Sequence, residues 1–154
     1  ALLAQQASSQ SFRMVYLSTD YVYQGKRGPH KECDPILPHN AYAWSKLGGE
    51  CAVQLVPNHL IIRTSFHAER TFMNWSSAAT DAYTSKVPVS LAAQWIASAA
   101  TSDTTGILNV GGARVSLFEL AVRQSPNIQP MPRERWNIPQ DSSLDTTRFR
   151  ALIA

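Results

Sequence analysis

Cysteine is scarce in this chain. The 154 residues hold two, Cys33 and Cys51, with no CxxC spacing and no Cys/His cluster. That excludes a disulfide framework and offers no metal site; it fits a reduced, cytoplasmic setting. Glycine is scarce as well, with seven residues and no GxGxxG or GxxGxxG among them. Gly111-Gly112 follows an apolar run but lacks the remaining spacing, and reads as a plain turn. The chain therefore shows no turn on which a dinucleotide pyrophosphate would rest. Charge is modest, at 16% charged residues and a net +3, and the basic residues form neither a run nor a helical stripe. A nucleic-acid surface is excluded on that ground. No apolar run reaches the ~18 residues of a membrane span. The start lacks the basic-then-apolar pattern of a signal peptide. It also lacks an initiator Met, and Ala1 to Gln6 read as helix interior, so the expectation is the later part of a longer chain.

What is present is globular, since 44% of the residues are hydrophobic. A helix tail over Ala1 to Ser9 leads to an apolar run, Phe12 to Leu17, of strand length. Such runs suit a strand covered on both faces, as in a parallel sheet. Gln24 to Asn40 is rich in Gly, Pro and charge and reads as a long loop. Asn40 is a good N-cap for a helix to about Leu55, on which Trp44, Leu47, Gly48, Cys51, Ala52 and Leu55 have the spacing of a buried stripe. Leu60-Ile61-Ile62 is a second strand. Strand, helix and strand make a βαβ unit, hence a parallel pair joined by a right-handed crossover.

The second half is less regular. It predicts a helix over Val89 to Ala100, a strand over Gly106 to Val110, and a capping box from Ser116 to Glu119. Pro126 to Pro139 reads as extended or looped. Asp145 is placed to cap a last helix, Thr146 to Ile153.

Tyr42 and Lys46 are four residues apart and share a face of the predicted helix. Alone, the pair is weak, because an exposed Tyr and Lys on a solvated face would look the same. The strand before it ends in Ser18-Thr19-Asp20, polar residues where the crevices of α/β sheets open. A hydroxyl at Thr19 and a phenol at Tyr42 could converge on one carbonyl oxygen. Reducing a ketone by hydride makes an alkoxide, which needs hydrogen-bond donors and a proton. Free tyrosine, with a pKa of about 10, is poorly matched to neutral pH. A neighbouring ammonium favours the phenolate and corrects the mismatch.

The strings LSTDYVYQG (Leu17 to Gly25), PHNAYAWSKLGGE (Pro38 to Glu50) and LIIRTSF (Leu60 to Phe66) resemble the extended short-chain dehydrogenase/reductases. The nearest subgroup is the dTDP-4-dehydrorhamnose reductase-like sugar-nucleotide-binding family. Its pattern STDYV, then PxNxYxxSKxxGE, is met by Ser18, Thr19, Asp20, Tyr21, Val22, Pro38, Asn40, Tyr42, Ser45, Lys46, Gly49 and Glu50. The later segments DAYTSKVPV, GILNVGG and SLFELA are similar to the same subgroup. The resemblance implies an α/β fold: a partial Rossmann-like doubly wound parallel sheet without its N-terminal dinucleotide-binding strands. Residues 1–66 would be the C-terminal part of the catalytic domain. Residues 67–154 would be a small substrate-binding region with interleaved sheet elements.

It further implies NAD(P)-dependent reduction of a 4-keto nucleotide sugar, with NADP or NAD as cofactor and a homodimer as a possible assembly. Thr19, Tyr42 and Lys46 would be catalytic. Tyr42, Lys46, Thr64 and Ser65 would meet the cofactor, and Asp20, Tyr21 and Phe66 the sugar. Ala43 stands where the family has Gly, and Phe66 where the rhamnose enzymes carry Trp. The segment from Phe66 to Asp81 is too short for the helix those reductases place there. The closing segment Pro139 to Asp145 lacks the family's Arg-Pro. A non-catalytic sugar-nucleotide-binding or regulatory subunit of the same fold is the alternative, and an epimerase a third. Tyr21 stands where dehydratases carry Glu.

Overall fold

The computed structural model describes residues 2–154. Helix α1 (Leu2–Ser9) precedes β1 (Met14–Thr19), and a single 3₁₀ turn, Asp20–Val22, follows that strand directly. Helix α2 (Ala41–Val53) begins at Asn40, whose Oδ1 accepts the Ala43 N–H at 2.9 Å, the capping role expected of it. Strand β2 (His59–Thr64) lies parallel to β1, with Met14 opposite His59 and Thr19 opposite Thr64.

Short strands β3 (Phe66–His67), β4 (Ser77–Ala79), β5 (Tyr83–Thr84) and β6 (Val87–Pro88) come next, then α3 (Val89–Thr101). Strand β7 (Gly106–Val110) returns to pair in parallel with β2. The chain closes with β8 (Val115–Ser116), α4 (Leu117–Val122), β9 (Gln129–Met131), a turn at Arg133–Arg135, and α5 (Thr147–Ile153). The fold is α/β, with a parallel sheet in the order β1-β2-β7. None of its helices is long and apolar enough to cross a membrane among the described residues.

The period of two along β2 sorts its side chains between the sheet faces. Leu60 and Ile62 join Leu108 and Val110 of β7, Ala99 of α3 and Phe149 of α5 in the main core. Arg63 turns to the other face, where α2 lies, and pairs there with Glu50. A second apolar cluster gathers Phe72, Ala78, Leu120, Ala121 and Ile128 around α4. The three pairs β3 with β6, β4 with β9 and β5 with β8 link this later region to itself. The predicted capping box is present: Glu119 N–H donates to Ser116 Oγ at 3.0 Å, and Ser116 N–H to Glu119 Oε2 at 2.7 Å. Asp145 Oδ1 accepts the Thr147 N–H at 2.9 Å at the head of α5. No helix occurs between Phe66 and Asp81, in keeping with the shortness of that segment.

Two expectations are corrected. The strand predicted over Phe12 to Leu17 begins at Met14 and ends at Thr19, and it is not covered on both faces. Val15 and Leu17 remain 37% and 41% exposed, because α3 and α5 pack over β2 and β7 and do not extend across β1. The stripe Trp44, Leu47, Gly48, Cys51, Ala52, Leu55 is not the buried face of α2. Trp44 is 57% and Leu55 78% exposed, while Ala43, Glu50 and Val53 are buried. A charged residue defines the inner face, because Glu50 has an arginine to meet there.

The two adjacent glycines of α2 have opposite reasons to be glycine. A Cβ on Gly48 would meet nothing within 4 Å, whereas one on Gly49 would overlap the phenol of Tyr16. Gly49 thus lets the ring of β1 lie against the helix. Gly48→Ala is expected to stabilise the protein by ~0.5–1 kcal/mol through helix propensity. Gly49→Ala is expected to destabilise it by ~1–3 kcal/mol, as overpacking does. Thermal or urea denaturation of the two variants checks the opposite signs.

Candidate active site

The cleft opens at the carboxyl ends of β1 and β2, where the parallel strands hand over to loops. The register that sets Thr19 opposite Thr64 puts both hydroxyl residues at its floor. Thr19, Asp20, Tyr21, Tyr42, Thr64, Ser65 and Phe66 all line it, in a volume of about 400 Å³. Ser18, Asn40 and Lys86 line it too. The helix dictates the place of Tyr42: it is the second residue after the Asn40 cap, 59% exposed, on the turn that faces the strand ends.

Lys46 lies one turn further along α2, outside the cleft lining. Its ammonium sits over the Tyr16 ring, 4.4 Å from the centroid, a cation–π contact. The Tyr16 hydroxyl donates to the Lys46 carbonyl at 3.3 Å, so one aromatic residue holds both ends of Lys46. Tyr42 and Lys46 share a helix face, as their spacing requires, and Lys46 has Tyr16 as its immediate partner.

The floor is polar and incompletely satisfied. Thr19 Oγ1 accepts the Tyr21 N–H at 3.2 Å and donates to Asp20 Oδ1 at 3.1 Å. Asp20 lines the cleft and is only 2% exposed. Burial pushes its carboxyl above the ordinary range, while Lys86 and the hydroxyls of Ser142, Thr19 and Ser65 pull the other way. The Tyr21 phenol is pushed up to about 12, first by burial and then by the Asp20 charge, and stays a proton donor at any ordinary pH. Ser18 Oγ, Thr64 Oγ1 and Asp20 Oδ2 are buried without a hydrogen-bond partner. Orphaned groups at the strand ends fit the nicotinamide end of a dinucleotide or a polyhydroxy substrate, either of which would satisfy them.

A second cavity of about 350 Å³ has Tyr21, Phe66 and Lys86 in common with the cleft. Its walls are aromatic: Phe72 meets Trp75 edge-on at 4.9 Å, and Trp136 also lines it. Lys86 lines both cavities, with its amine 5.9 Å from the Tyr21 ring centroid. Phe72, Trp75 and Trp136 were not singled out in the sequence, because they reach the second cavity from distant positions, and Lys86 was visible only as part of the segment DAYTSKVPV, without a role. No group of three or more His, Cys, Asp or Glu residues could hold a metal ion among the described residues. Gly111 and Gly112, read as a turn, let Ser85 to Val87 come close. Gly112 N–H donates to the Ser85 carbonyl at 2.8 Å, and a Cβ on Gly112 would meet Val87 at 2.8 Å.

The raised pKa of Asp20 has a stability consequence. The folded state favours the neutral acid, so this contribution is present below the unfolded pKa and is lost as pH rises through the folded one. Asp20→Asn, which is never ionised, is expected to melt higher than wild type at neutral pH. The gap should close as pH falls below the ordinary carboxylate range. Melting curves of both proteins across that pH span check it.

Known proteins are similar to this chain in sequence and fold. The RmlD substrate binding domain family matches residues 1–95. The dTDP-4-dehydrorhamnose reductase of Sinorhizobium fredii is 43% identical over 75 residues, which are 47% of this chain and 25% of that protein. A hypothetical dTDP-4-dehydrorhamnose reductase from Sulfolobus tokodaii superposes with a TM-score of 0.83 at 30% identity, over 97% of this chain and 61% of that one. The dTDP-4-dehydrorhamnose reductase of Bacillus anthracis, solved in complex with NADP, has the same fold, with a TM-score of 0.84 at 24% identity over 97% of this chain and 62% of that one. The chain thus spans about a quarter of the length of that curated relative and about three fifths of these solved ones. By the family match over its first 95 residues, this chain belongs to the RmlD substrate binding domain family.

Proposed function

We propose that the protein carrying this chain reduces the 4-keto group of a nucleotide sugar with NADPH or NADH. The observation that carries the reading is the adjacency of two pockets. A polar cleft holding Thr19, Tyr42 and Thr64 lies beside an aromatic cavity, with Tyr21, Phe66 and Lys86 in the walls of both. A nucleotide sugar has the same order of parts: a sugar, a diphosphate and a flat base. The sugar would lie over Thr19 and Tyr42, the diphosphate by the Lys86 amine, and the base among Phe72, Trp75 and Trp136. The dTDP-4-dehydrorhamnose reductases similar to this chain, one of them solved with NADP, agree with this class of substrate and cofactor.

When bound, the dinucleotide supplies hydride to the carbonyl carbon. The chain's own residues then manage the oxygen. The Tyr42 hydroxyl gives its proton to the developing alkoxide, and its phenolate is stabilised by the positive charge of Lys46 one turn away. Thr19 Oγ1, held by its bonds to Asp20 Oδ1 and the Tyr21 N–H, is placed to orient the substrate carbonyl. Tyr21 stays protonated and can donate to a sugar oxygen.

Tyr42→Phe keeps the ring and loses the proton. Its turnover of dTDP-4-dehydrorhamnose, followed as NADPH oxidation, is expected to fall ~10²–10⁴-fold with the melting temperature unchanged. Activity within a few-fold of wild type would remove Tyr42 from the chemistry. Lys86→Met is expected to raise KM ~10-fold or more and to change kcat little, since a charged hydrogen bond to a diphosphate is made equally in the ground and transition states.

A further inference from the structure

The loop after β1 and the segment before α5 bound a further pocket, of about 460 Å³, whose walls include Lys26, Arg27, His39 and Arg133. Thr19, Tyr42 and Lys86 are not among its lining residues, and Ile138 stands in the walls of both this pocket and the aromatic cavity. Backbone contacts fix its frame. The Gly25 carbonyl accepts the Asp141 N–H at 2.9 Å, and a Cβ on Gly25 would meet the Pro139 Cβ at 2.6 Å. His39 Nε2 donates to the Asn137 carbonyl at 3.2 Å, which ties the loop to the segment. Arg133 is half-buried, and its Nη1 reaches the Ile138 carbonyl at 3.5 Å.

Lysine and arginine thus bring three full positive charges to one concavity, and no aspartate or glutamate lines it among the described residues. The charge gathered there equals the net +3 of the whole chain. Lys26 and Arg27 take part in no ion pair among the described residues. Other arginines are committed: Arg63 to Glu50, Arg114 to Asp141, and Arg13 to the carbonyls of Ala100 and Thr104. Asp81, on the far side of Arg133 in the chain, accepts the Arg133 backbone N–H at 2.6 Å and not its guanidinium. A cation on a convex surface is solvated and needs no partner, whereas a concave wall of one sign focuses the field and concentrates counter-ions. We propose that this pocket is a binding site for a phosphorylated small molecule, with Lys26, Arg27 and Arg133 taking its phosphate oxygens. Two guanidinium forks match phosphate oxygens in geometry, and the ammonium adds a point charge. The site is additional to the reductase cleft and does not rest on that reading.

The test is calorimetric titration of the protein carrying this chain with pyrophosphate at low ionic strength, on wild type, Arg27→Gln, Arg133→Gln, Arg133→Lys and Lys86→Met. Wild type is expected to bind, with an affinity that falls as salt is added. Arg27→Gln and Arg133→Gln should each weaken binding about tenfold or more, the worth of a hydrogen bond to a charged group. Arg133→Lys, which keeps the charge, should keep part of the affinity. Lys86→Met, changed in the cleft and the aromatic cavity, should bind as wild type does. No binding by wild type at millimolar pyrophosphate overturns the proposal. So does wild-type affinity in both glutamine variants. A loss in Lys86→Met larger than in either of them puts the anion in the cleft and overturns it too. Should Arg133→Gln melt lower than wild type, the exposed Arg27 supplies the reading by itself, because its side chain takes no part in the packing.

Discussion

The ion pair between Arg63 and Glu50 is the tie on which the rest of the structure hangs. Both side chains are 0% exposed, and the guanidinium donates twice to one carboxylate, from Nε at 3.0 Å and from Nη2 at 2.7 Å. Burial works against the guanidinium charge, yet Glu50 and Tyr23 hold its pKa above the ordinary value. A pair in this setting is not stabilising simply by being charged, since desolvation offsets much of the attraction; what it enforces is that neither partner can be removed, at a cost of ~3–5 kcal/mol. The pair bolts α2 to β2. Tyr23 extends it, accepting from Arg63 Nη1 at 2.9 Å and donating to Asn109 Oδ1 of β7 at 2.9 Å. Asn109 in turn donates to the His30 carbonyl at 2.8 Å, and its own N–H reaches Glu32 Oε1 at 3.1 Å. One polar chain therefore holds a helix, two strands and the long loop between Gln24 and Asn40.

That chain also positions the chemistry. Arg63 precedes Thr64 at the cleft floor, and Glu50 lies one turn beyond Lys46. A shift of α2 along the sheet would break the ion pair and move Tyr42 away from the strand ends in the same step. Tyr16 and Gly49 set the distance between helix and strand, because the ring fills the space a side chain on Gly49 would need. The residues at the strand ends thus sit on rigid elements, with the hydroxyls of Ser18 and Thr64 buried there without a partner.

The block from Ser18 to Glu50 stood out in the sequence because its residue types have few other uses together. Its helix cap, the strand at Leu60 to Ile62 and the capping box at Ser116 were legible as local structure because each rests on contacts within a few residues. The stripe on α2 misled for a physical reason. Apolar periodicity assumes that the inner face is apolar, and here it carries Glu50, whose partner is thirteen positions away on another element. Leu55 and Trp44 keep the spacing of a core and face outward. Coverage of β1 was overestimated likewise, since an apolar run says that a strand can be buried and not which helix will reach it.

The sequence by itself determined the βαβ unit, the α/β class and most of the helices, which follow from capping and apolar patterning over short stretches. It also offered Thr19 and Tyr42, a hydroxyl at a strand end and a phenol on the next helix; Asp20, Tyr21, Thr64, Ser65 and Phe66 came from the resemblance, and the short strands β3 to β6, β8 and β9 were not foreseen. Only the tertiary structure decided that Lys46 rests on Tyr16, that Asp20 is buried at the cleft wall, and that a second, aromatic cavity lies beside the first. Those facts depend on residues far apart in the chain: Phe66 with Val87, Tyr83 with Ser116, and Trp136 folding back toward Phe72. Such meetings are set by which surfaces exclude water together, a property of the packed chain and of no segment within it.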